Sequence, residues 1–94
     1  MHKRERTKGE RVARRREAAI QYPHAHAWGI VNGLHLRKLT DDQYQIRPLD
    51  REWVVDIYVG RRRLKSYSRT APRITVPDGF KLFDIVTEFK KVMQ

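Results

Sequence analysis

Three consecutive arginines follow a glycine and an apolar run in the stretch "WVVDIYVGRRRLKSY", residues 53–67. A guanidinium group binds phosphate through two parallel hydrogen bonds, so a group of arginines can hold a phosphate backbone. At the tip of a hairpin, charged side chains also keep a sheet soluble and block pairing at its edge. Three arginines in a row exceed that need, so we interpret residues 61–63 as a binding element.

The positive charge of the chain is concentrated in two segments. The net charge is +10, and residues 1–16 and residues 61–73 each contribute +6, so the remainder is slightly acidic. Such clustering is typical of proteins that bind nucleic acid or an acidic partner. The predicted nucleic-acid-binding residues are Lys3, Arg4, Arg6, Lys8, Arg11, Arg14, Arg15, Arg16, Arg47, Tyr58, Arg61, Arg62, Arg63, Lys65, Tyr67, Arg69 and Arg73.

The histidines raise the alternative of a metal site. His24 and His26 are separated by one residue, and His35 follows nearby. No cysteine is present, and no carboxylate stands at a regular spacing from the pair. We therefore expect no metal.

Three acidic residues, Asp50, Glu52 and Asp56, raise the alternative of a metal-dependent nuclease. The strand pairing predicted below places Glu52 opposite Arg47 and Asp56 opposite Lys65, which gives two of them a structural role. The sequence also contains no Gly-rich phosphate loop and no nucleophile motif. We expect a protein that is not an enzyme and has no catalytic residue and no cofactor.

Length and composition limit the architecture. A chain of 94 residues forms one domain with a small core. The lack of cysteine excludes disulfides and fits a reducing compartment. No apolar run approaches the ~18 to 20 residues that span a bilayer, and no apolar leader segment follows the charged N-terminus. We expect a soluble, cytoplasmic protein without contact to a membrane.

The N-terminal segment, residues 1–22, is expected to be a basic arm, partly helical or disordered, that precedes a single domain over residues 23–94. Thr7 and Glu10 have the spacing of a capping box, and good helix formers follow. The sequence therefore predicts a helix over about residues 8–21, with Pro23 interrupting it.

Residues 24–39 support two interpretations. Asn32-Gly33 between apolar residues favours a tight hairpin turn. Alternatively, apolar residues at helical spacing predict a short helix over about residues 24–32, with Gly33 as its C-cap and a strand over residues 34–39. We favour the helix. Because Leu39 is out of phase with the earlier leucines, a bulge is expected near Arg37-Lys38.

A hairpin is predicted around Gly60-Arg61. With these two residues as the loop, the opposed pairs are Val59/Arg62, Tyr58/Arg63, Ile57/Leu64, Asp56/Lys65, Val55/Ser66 and Val54/Tyr67. A preceding strand joined by the loop "PLDR", residues 48–51, places Ile46 opposite Trp53 and Tyr44 opposite Val55. One face of all three strands is then apolar, a consistency that favours this sheet.

The opposite face of the sheet is expected to be open. Tyrosines among cations on such a face can stack on bases, as in single-strand binders. A solvated face with ordinary cross-strand pairs is the alternative. The residues expected on this face are Lys38, Gln45, Arg47, Val54, Asp56, Tyr58, Arg63, Lys65 and Tyr67.

The C-terminal segment predicts the clearest helix. A basic loop with a short edge strand over residues 74–76 precedes it, and Asp78 is the expected cap. Its apolar stripe comprises Leu82, Phe83, Ile85, Val86, Phe89, Val92 and Met93. The predicted fold is α+β: a basic N-terminal helix or tail and a three- to four-stranded antiparallel sheet covered on one face by a C-terminal helix.

Three stretches carry a resemblance to known proteins: "DDQYQIRP", "WVVDIYVGRRRL" and "VPDGFKLFDIV". Over roughly residues 40–87, this order of an aromatic-hydrophobic strand, a strand with a basic turn and a closing helix resembles small uncharacterised proteins of phages and other mobile elements. The resemblance implies a protein encoded by a phage or mobile element and acting in a bacterial host cell.

The architecture also resembles that of some anti-CRISPR inhibitors of RNA-guided nucleases, which join a basic N-terminal tail to a small α/β body. The resemblance implies that "KRERTKGERVARRR" would engage the nucleic-acid path or the guide RNA of such an enzyme. From the residues themselves we expect a non-enzymatic protein that binds DNA or RNA. An inhibitor that binds a nucleoprotein is the alternative, and a nuclease is the second alternative.

Overall fold

The computed structural model describes residues 8–66, 68–74 and 81–93. Its elements in chain order are α1 (Lys8–Val31), β1 (Leu34–Lys38), β2 (Gln43–Pro48), β3 (Val55–Tyr58), β4 (Arg63–Ser66) and α2 (Leu82–Met93). The strands form one antiparallel sheet in the order β1-β2-β3-β4. The predicted α+β class is confirmed. Among the described residues, no helix is long and apolar enough to cross a membrane.

The core lies between one face of the sheet and the two helices. Alternate residues of each strand point into it, because successive side chains of a strand face opposite sides. Trp53, just before β3, stacks on Phe89 of α2 with the ring centroids 5.3 Å apart. The buried residues that form this core are Ala18, Ala25, Leu34, Leu36, Tyr44, Ile46, Trp53, Val55, Ile57, Val59, Leu82, Ile85, Val86 and Phe89.

Helix α2 presents much of the stripe that its periodicity predicts. Four residues of the stripe are buried, Phe83 and Met93 are half-buried, and Val92 is exposed. At the first turn, the Asp84 carboxylate accepts a hydrogen bond from the Lys81 backbone at 3.0 Å. Gln21 of α1 accepts another from the Phe83 backbone at 3.1 Å. The first backbone N–H groups of a helix have no partner within the helix, so Gln21 of α1 supplies an acceptor for one of those of α2. The expected cap, Asp78, lies outside the described residues.

Helix α1 is continuous across Pro23, so the predicted interruption was wrong. A proline inside a helix removes the hydrogen bond to the carbonyl four residues earlier, here that of Ala19. Both residues are exposed, so water can take the place of the missing donor. The boundary expected between residues 22 and 23 falls inside this helix, and residues 1–7 lie outside the described part of the chain.

The favoured interpretation of residues 24–39 is confirmed in part: residues 24–31 are helical, as the end of α1 rather than as a separate short helix, and a strand begins at Leu34. Gly33 has a φ of 83°, a left-handed conformation that glycine adopts without strain. The predicted bulge was wrong, since the pairing from Leu34↔Pro48 to Lys38↔Tyr44 is continuous. Leu39 is out of phase because it lies beyond the strand.

The hairpin register of β3 and β4 is confirmed by the pairs Val55↔Ser66, Asp56↔Lys65, Ile57↔Leu64 and Tyr58↔Arg63. The turn between them comprises residues 59–62, and Arg62 rather than Gly60 has the positive φ, 52°. The expected pair of residues 54 and 67 includes Tyr67, which lies outside the described residues.

The predicted register of β2 with β3 was wrong by two residues. Ile46 pairs with Val55 and Tyr44 with Ile57, so the connection is longer than "PLDR". Trp53 does not pair with Ile46, because it packs on Phe89 before β3 begins. A slip of two residues keeps every side chain on its face, which is why the apolar face was still predicted correctly.

Two further expectations about the strands change. Lys38 pairs with buried Tyr44 and therefore lies on the helix side of the sheet rather than on the open face, where it was expected. Its ammonium group lies 3.5 Å from the Asp41 carboxylate. Ile74 is not in a strand, and the rest of the expected edge strand, residues 75 and 76, lies outside the described residues.

Tyr44 contributes a polar group to this apolar core. Its side chain is fully buried, and its ring lies 5.6 Å from that of Tyr22. The hydroxyl has no hydrogen-bond partner within residues 8–66, 68–74 and 81–93. Burial, followed by the charge of Asp41, raises the pKa of Tyr44 to about 12.

We expect Tyr44→Phe to leave the free energy of unfolding unchanged or to raise it by about 1 kcal/mol, because it removes a buried donor without a partner and keeps the ring. Urea denaturation of the two proteins measures the change. Tyr22→Phe is the matched control. It removes a hydroxyl that contacts the Leu36 carbonyl at 3.4 Å and should not stabilise. A decrease in the free energy of unfolding of more than about 1 kcal/mol for Tyr44→Phe would contradict the absence of a partner for this hydroxyl.

Candidate nucleic-acid interface

Parts of the two basic segments of the chain meet at the turn between β3 and β4. Arg14 of α1 donates to the Gly60 carbonyl from Nε at 3.0 Å and from Nη2 at 2.6 Å. These residues are 46 positions apart in the sequence. The basic half of α1 therefore lies against the turn that carries the three arginines.

Asp42, between β1 and β2, holds the same turn from the other side. Its Oδ1 accepts hydrogen bonds from the Gly60 backbone at 2.8 Å and from Arg15 Nε at 3.1 Å. Its carbonyl accepts another from the Val59 backbone at 3.0 Å. We call Arg14, Arg15, Asp42 and Gly60 the Gly60 junction. The peptide groups on both sides of Gly60 are thus hydrogen-bonded to charged side chains.

Close approach explains why residue 60 is glycine. A Cβ there would overlap the Asp42 carboxylate and lie 3.3 Å from Arg15 Nε. The backbone conformation does not require glycine, since the positive φ of this turn belongs to Arg62. Gly60 is therefore needed because the carboxylate and the guanidinium of the Gly60 junction occupy the space of its side chain.

The three arginines of the turn differ in their surroundings. Arg61 and Arg63 are exposed, whereas Arg62 is half-buried. Arg62 Nε is enclosed and has no hydrogen-bond partner in the described part of the chain. Together with Arg11, one helical turn before Arg14 and Arg15, these residues form the arginine cluster. Its members are Arg11, Arg14, Arg15, Arg61, Arg62 and Arg63.

The open face of the sheet carries a row of polar residues. Arg37, Gln45, Asp56 and Lys65 follow one another across the four strands. Asp56 is only 4% exposed, and Gln45 Nε2 donates to its Oδ1 at 3.1 Å. A buried carboxylate at the centre of this face opposes the approach of phosphate. The face therefore differs from the simple cationic surface that the sequence predicts.

Tyr58 and Arg63 lie on the same open face and are opposed in the register, as expected. Tyr58 is half-buried and already interacts within the protein. Tyr67, the other tyrosine expected to stack on bases, lies outside the described residues. In the described residues, the tyrosine surface offered to bases on this face is thus part of one ring.

His35 and Arg47 are opposed at the other end of this face. The His35 ring lies 5.6 Å from that of His26, whose Nδ1 is 2.8 Å from the Leu36 carbonyl oxygen. Burial, and then the positive charges of Arg47, His26 and Arg37, lower the pKa of His35. His35 thus adds no positive charge to the sheet at neutral pH.

Of the remaining predicted binding residues, Arg16 lines a cavity together with Arg15 of the cluster, and the others lie elsewhere on the protein or outside the described chain. Lys8 and Arg16 are exposed on α1. Arg69 and Arg73 follow the end of β4 that is distant from the turn, around a shallow cavity of about 300 Å³. The residues outside the described part are Lys3, Arg4, Arg6 and Tyr67.

The histidines and acidic residues of the alternative chemistries lie in separate places in the described residues. His24 stacks on Phe83 with centroids 4.9 Å apart, whereas His26 contacts the β1 backbone. Nowhere in residues 8–66, 68–74 and 81–93 do three or more histidine or acidic side chains converge as metal ligands. The expected pairing of Glu52 with Arg47 was wrong, because Glu52 precedes β3 and the pairs between β2 and β3 end at Ile46 and Val55.

Comparison with protein-family models, curated proteins and solved structures finds no match to this chain. The function therefore has to be inferred from the geometry of the site.

Asp42 is the residue of this site that sequence reasoning missed. It stands beside Asp41 in a short polar loop, where an acidic residue has no evident role. Asp42 and Gly60 are distant in the sequence, and the residues beside each of them do not indicate that the two are in contact. No signal in the sequence indicates the contact, because only the structure shows that Gly60 is not needed for a positive φ.

We expect Gly60→Ala to lower the free energy of unfolding by about 1–3 kcal/mol, because the new methyl group displaces the Asp42 carboxylate from its hydrogen bonds. The control is the same substitution in an Asp42→Ala background, where the methyl group has room. Gly60→Ala should lower the free energy of unfolding less in that background. Equal reductions in the two backgrounds would show that Asp42 does not constrain Gly60. Urea denaturation of the four proteins measures both costs.

The lowered pKa of His35 predicts a pH-dependent stability. Because the folded pKa lies below the unfolded value of about 6.5, the unfolded state takes up the proton first as the pH falls. The contribution of His35 is therefore complete above pH ~6.5 and is lost as the pH falls towards the folded pKa. An NMR titration of the His35 ring should give a midpoint below 6.5. Arg47→Gln should raise the midpoint, and a wild-type midpoint above 6.5 would contradict the prediction.

Proposed function

We propose that this protein binds nucleic acid through its phosphate backbone and catalyses no reaction on it. The observation that carries the proposal is the contact of Arg14 with the Gly60 carbonyl, which brings the described arginines of the first basic segment beside residues 61–63 of the second. Cations gathered on one surface release several counterions from a nucleic acid at once, and this release supplies most of the affinity for a phosphate backbone.

The arginines of the cluster have two different roles. Arg14 and Arg15 hold the turn through Gly60 and Asp42, so their guanidinium groups are partly engaged within the protein. Arg61 and Arg63 are exposed to solvent, whereas Arg62 is half-buried and its Nε is enclosed, so Arg61 and Arg63 are the more accessible of the three. A rigid turn lowers the entropy lost when its side chains bind a ligand. Residues 61–63 are therefore the proposed contacts to phosphate.

The open face of the sheet supports binding to the backbone rather than stacking of bases. Its centre holds the buried Asp56 carboxylate, and its described tyrosine, Tyr58, is half-buried. Proteins that bind single strands by stacking present exposed aromatic rings along a basic groove. Contacts to phosphate carry no sequence information by themselves, so the proposed binding is insensitive to sequence.

The runner-up is an inhibitor of a nucleic-acid enzyme, such as an anti-CRISPR protein, that docks on a nucleoprotein. The same arginine cluster would then contact nucleic acid that the partner holds. The two proposals differ in their preferred ligand, because an inhibitor should bind the intact enzyme complex much more tightly than free RNA or DNA. Equal affinity for both ligands favours direct nucleic-acid binding.

We expect single- and double-stranded 20-mers of DNA and RNA to lose about 100-fold in affinity between 50 and 200 mM salt, as for roughly four contacts to phosphate. Replacing Arg61, Arg62 and Arg63 with Ser should weaken binding about 10- to 100-fold at 50 mM salt, since three contacts are removed. Fluorescence anisotropy measures the affinities. Thermal unfolding checks that the variant folds.

The matched control replaces Arg51, Lys90 and Lys91 with Ser, which removes the same charge outside the arginine cluster. Equal losses for both triple variants would show that total charge, and not the cluster, holds the nucleic acid. Binding to none of the four ligands at 50 mM salt would reject the proposal. Plasmid incubated with Mg²⁺ and excess protein should remain intact, and nicking would favour the nuclease alternative.

A further inference from the structure

The loop that follows β4, residues 68–73, carries two exposed arginines. Arg69 and Arg73 form no hydrogen bond or ion pair with any residue that the structure describes. Both border the cavity of about 300 Å³ at this end of β4. A guanidinium group without an internal partner keeps all of its donors for a ligand. The other residues that line the cavity are Ser66, Ser68, Ala71 and Pro72.

The sequence around this loop is basic throughout. Residues 57–77 contain six basic residues and no acidic one. In the described structure, Glu52 lines the neighbouring cavity with Thr70, but it forms no ion pair with Arg69 or Arg73. The charges at the cavity therefore favour an anionic ligand.

Hydrogen bonds within the loop fix its backbone. The Ser66 hydroxyl donates to the Ser68 carbonyl at 2.9 Å and accepts from the Ser68 backbone at 3.2 Å. The Ala71 backbone donates to the same carbonyl at 3.3 Å. The hydroxyl oxygens of Ser68 and Thr70 are 3.0 Å apart, and when Thr70 donates, the Ser68 proton is free to reach a ligand in the cavity. A loop held in this way loses less entropy when it binds.

The loop and the arginine turn lie at opposite ends of β4. This strand extends from Arg63 to Ser66, so its ends are about 10 Å apart at 3.3 Å per residue. Stacked nucleotides of one strand advance by about 3.4 Å each, so the two ends are about three nucleotides apart. In the described sheet, β4 is an edge strand with β3 as its one neighbour.

We propose that the cavity beside Arg69 and Arg73 is a second phosphate site, and that one nucleic-acid strand follows β4 from the turn to this site. The inference rests on the proposed function, because residues 61–63 supply the contacts at the first end. At the second end, the two guanidinium groups and the Ser68 hydroxyl donate to phosphate oxygens. Hydrogen bonds from charged donors to phosphate are the strong ones, so the arginines supply most of the affinity.

Replacing Arg69 and Arg73 with Ser, the loop variant, tests the second site with a single-stranded DNA 8-mer. The variant should lose about 10-fold in affinity at 50 mM salt. The slope of log K against log [salt] should become less steep by about 1.4, since each contact to a single strand contributes about 0.7. Fluorescence anisotropy measures both, and thermal unfolding checks that the variant folds.

The matched control replaces Lys90 and Lys91 with Ser, which removes the same charge from the last turn of α2. Its affinity for the 8-mer should fall less than about twofold, because neither residue lies beside the turn or the loop. Equal losses for the control and the loop variant would show that total charge acts here and would overturn the inference.

Comparison with the turn variant, in which Arg61, Arg62 and Arg63 are replaced with Ser, tests whether one strand contacts both sites. If it does, the turn variant and the loop variant should each lose about 10-fold or more. Two independent sites cannot give this result, because the remaining site would still hold the 8-mer. Unchanged affinity and salt slope for the loop variant, with a loss for the turn variant, would overturn the inference and leave the proposed function in place.

Inorganic phosphate alone tests the second site without nucleic acid. In an NMR titration at low salt, the backbone amides of Ser68 and Arg69 should shift with a dissociation constant on the order of millimolar. The loop variant should show no such shift. No shift in the wild-type chain would overturn the inference, and shifts of equal size at Lys90 and Lys91 would indicate an adventitious ion only. If phosphate shifts the loop but the chain binds no nucleic acid, the proposed function and the path along β4 are wrong while the phosphate site stands.

Discussion

The hydrogen-bonded peptide groups around Gly60 are the constraint on which the arrangement of this protein depends. Arg14 from α1 and Asp42 from the β1–β2 loop hold the carbonyl and the amide of the same glycine. Asp42 also bonds Arg15, so three chain segments that are distant in sequence share one network. Hydrogen bonds to charged groups are stronger than neutral ones, and a network with shared members orients each of them. This network attaches the sheet's last hairpin to the N-terminal helix.

The network also concentrates charge of one sign. With Arg11, Arg14 and Arg15 beside residues 61–63, the protein gathers cations that repel one another, and the Asp42 carboxylate offsets part of that repulsion. The approach of an anion to the cluster reduces this repulsion and is therefore favourable. The proposed function rests on this concentration of positive charge, and the buried Asp56 carboxylate lowers the positive potential at the centre of the open sheet face.

The apolar face of the sheet, the hairpin register of β3 and β4 and the stripe of α2 could be predicted because each depends on residues that are close in sequence. The register of β2 with β3 could not, because Trp53 packs on Phe89 of α2 and lengthens the connection. Pro23 is a similar case. Local preference predicts a helix break, but contacts on both sides of the proline, from Arg14 to Gly60 and from His26 to β1, hold one continuous helix.

The sequence by itself determined the α+β class, the two basic segments and the arginines of the turn, since composition and short-range periodicity contain that information. Only the tertiary structure decided that parts of the two segments form one cluster and that Arg14 and Arg15 are partly engaged by the Gly60 junction. These properties depend on contacts between residues up to 46 positions apart. Such contacts arise from the packing of the whole chain, and the residues beside each partner in the sequence do not reveal them.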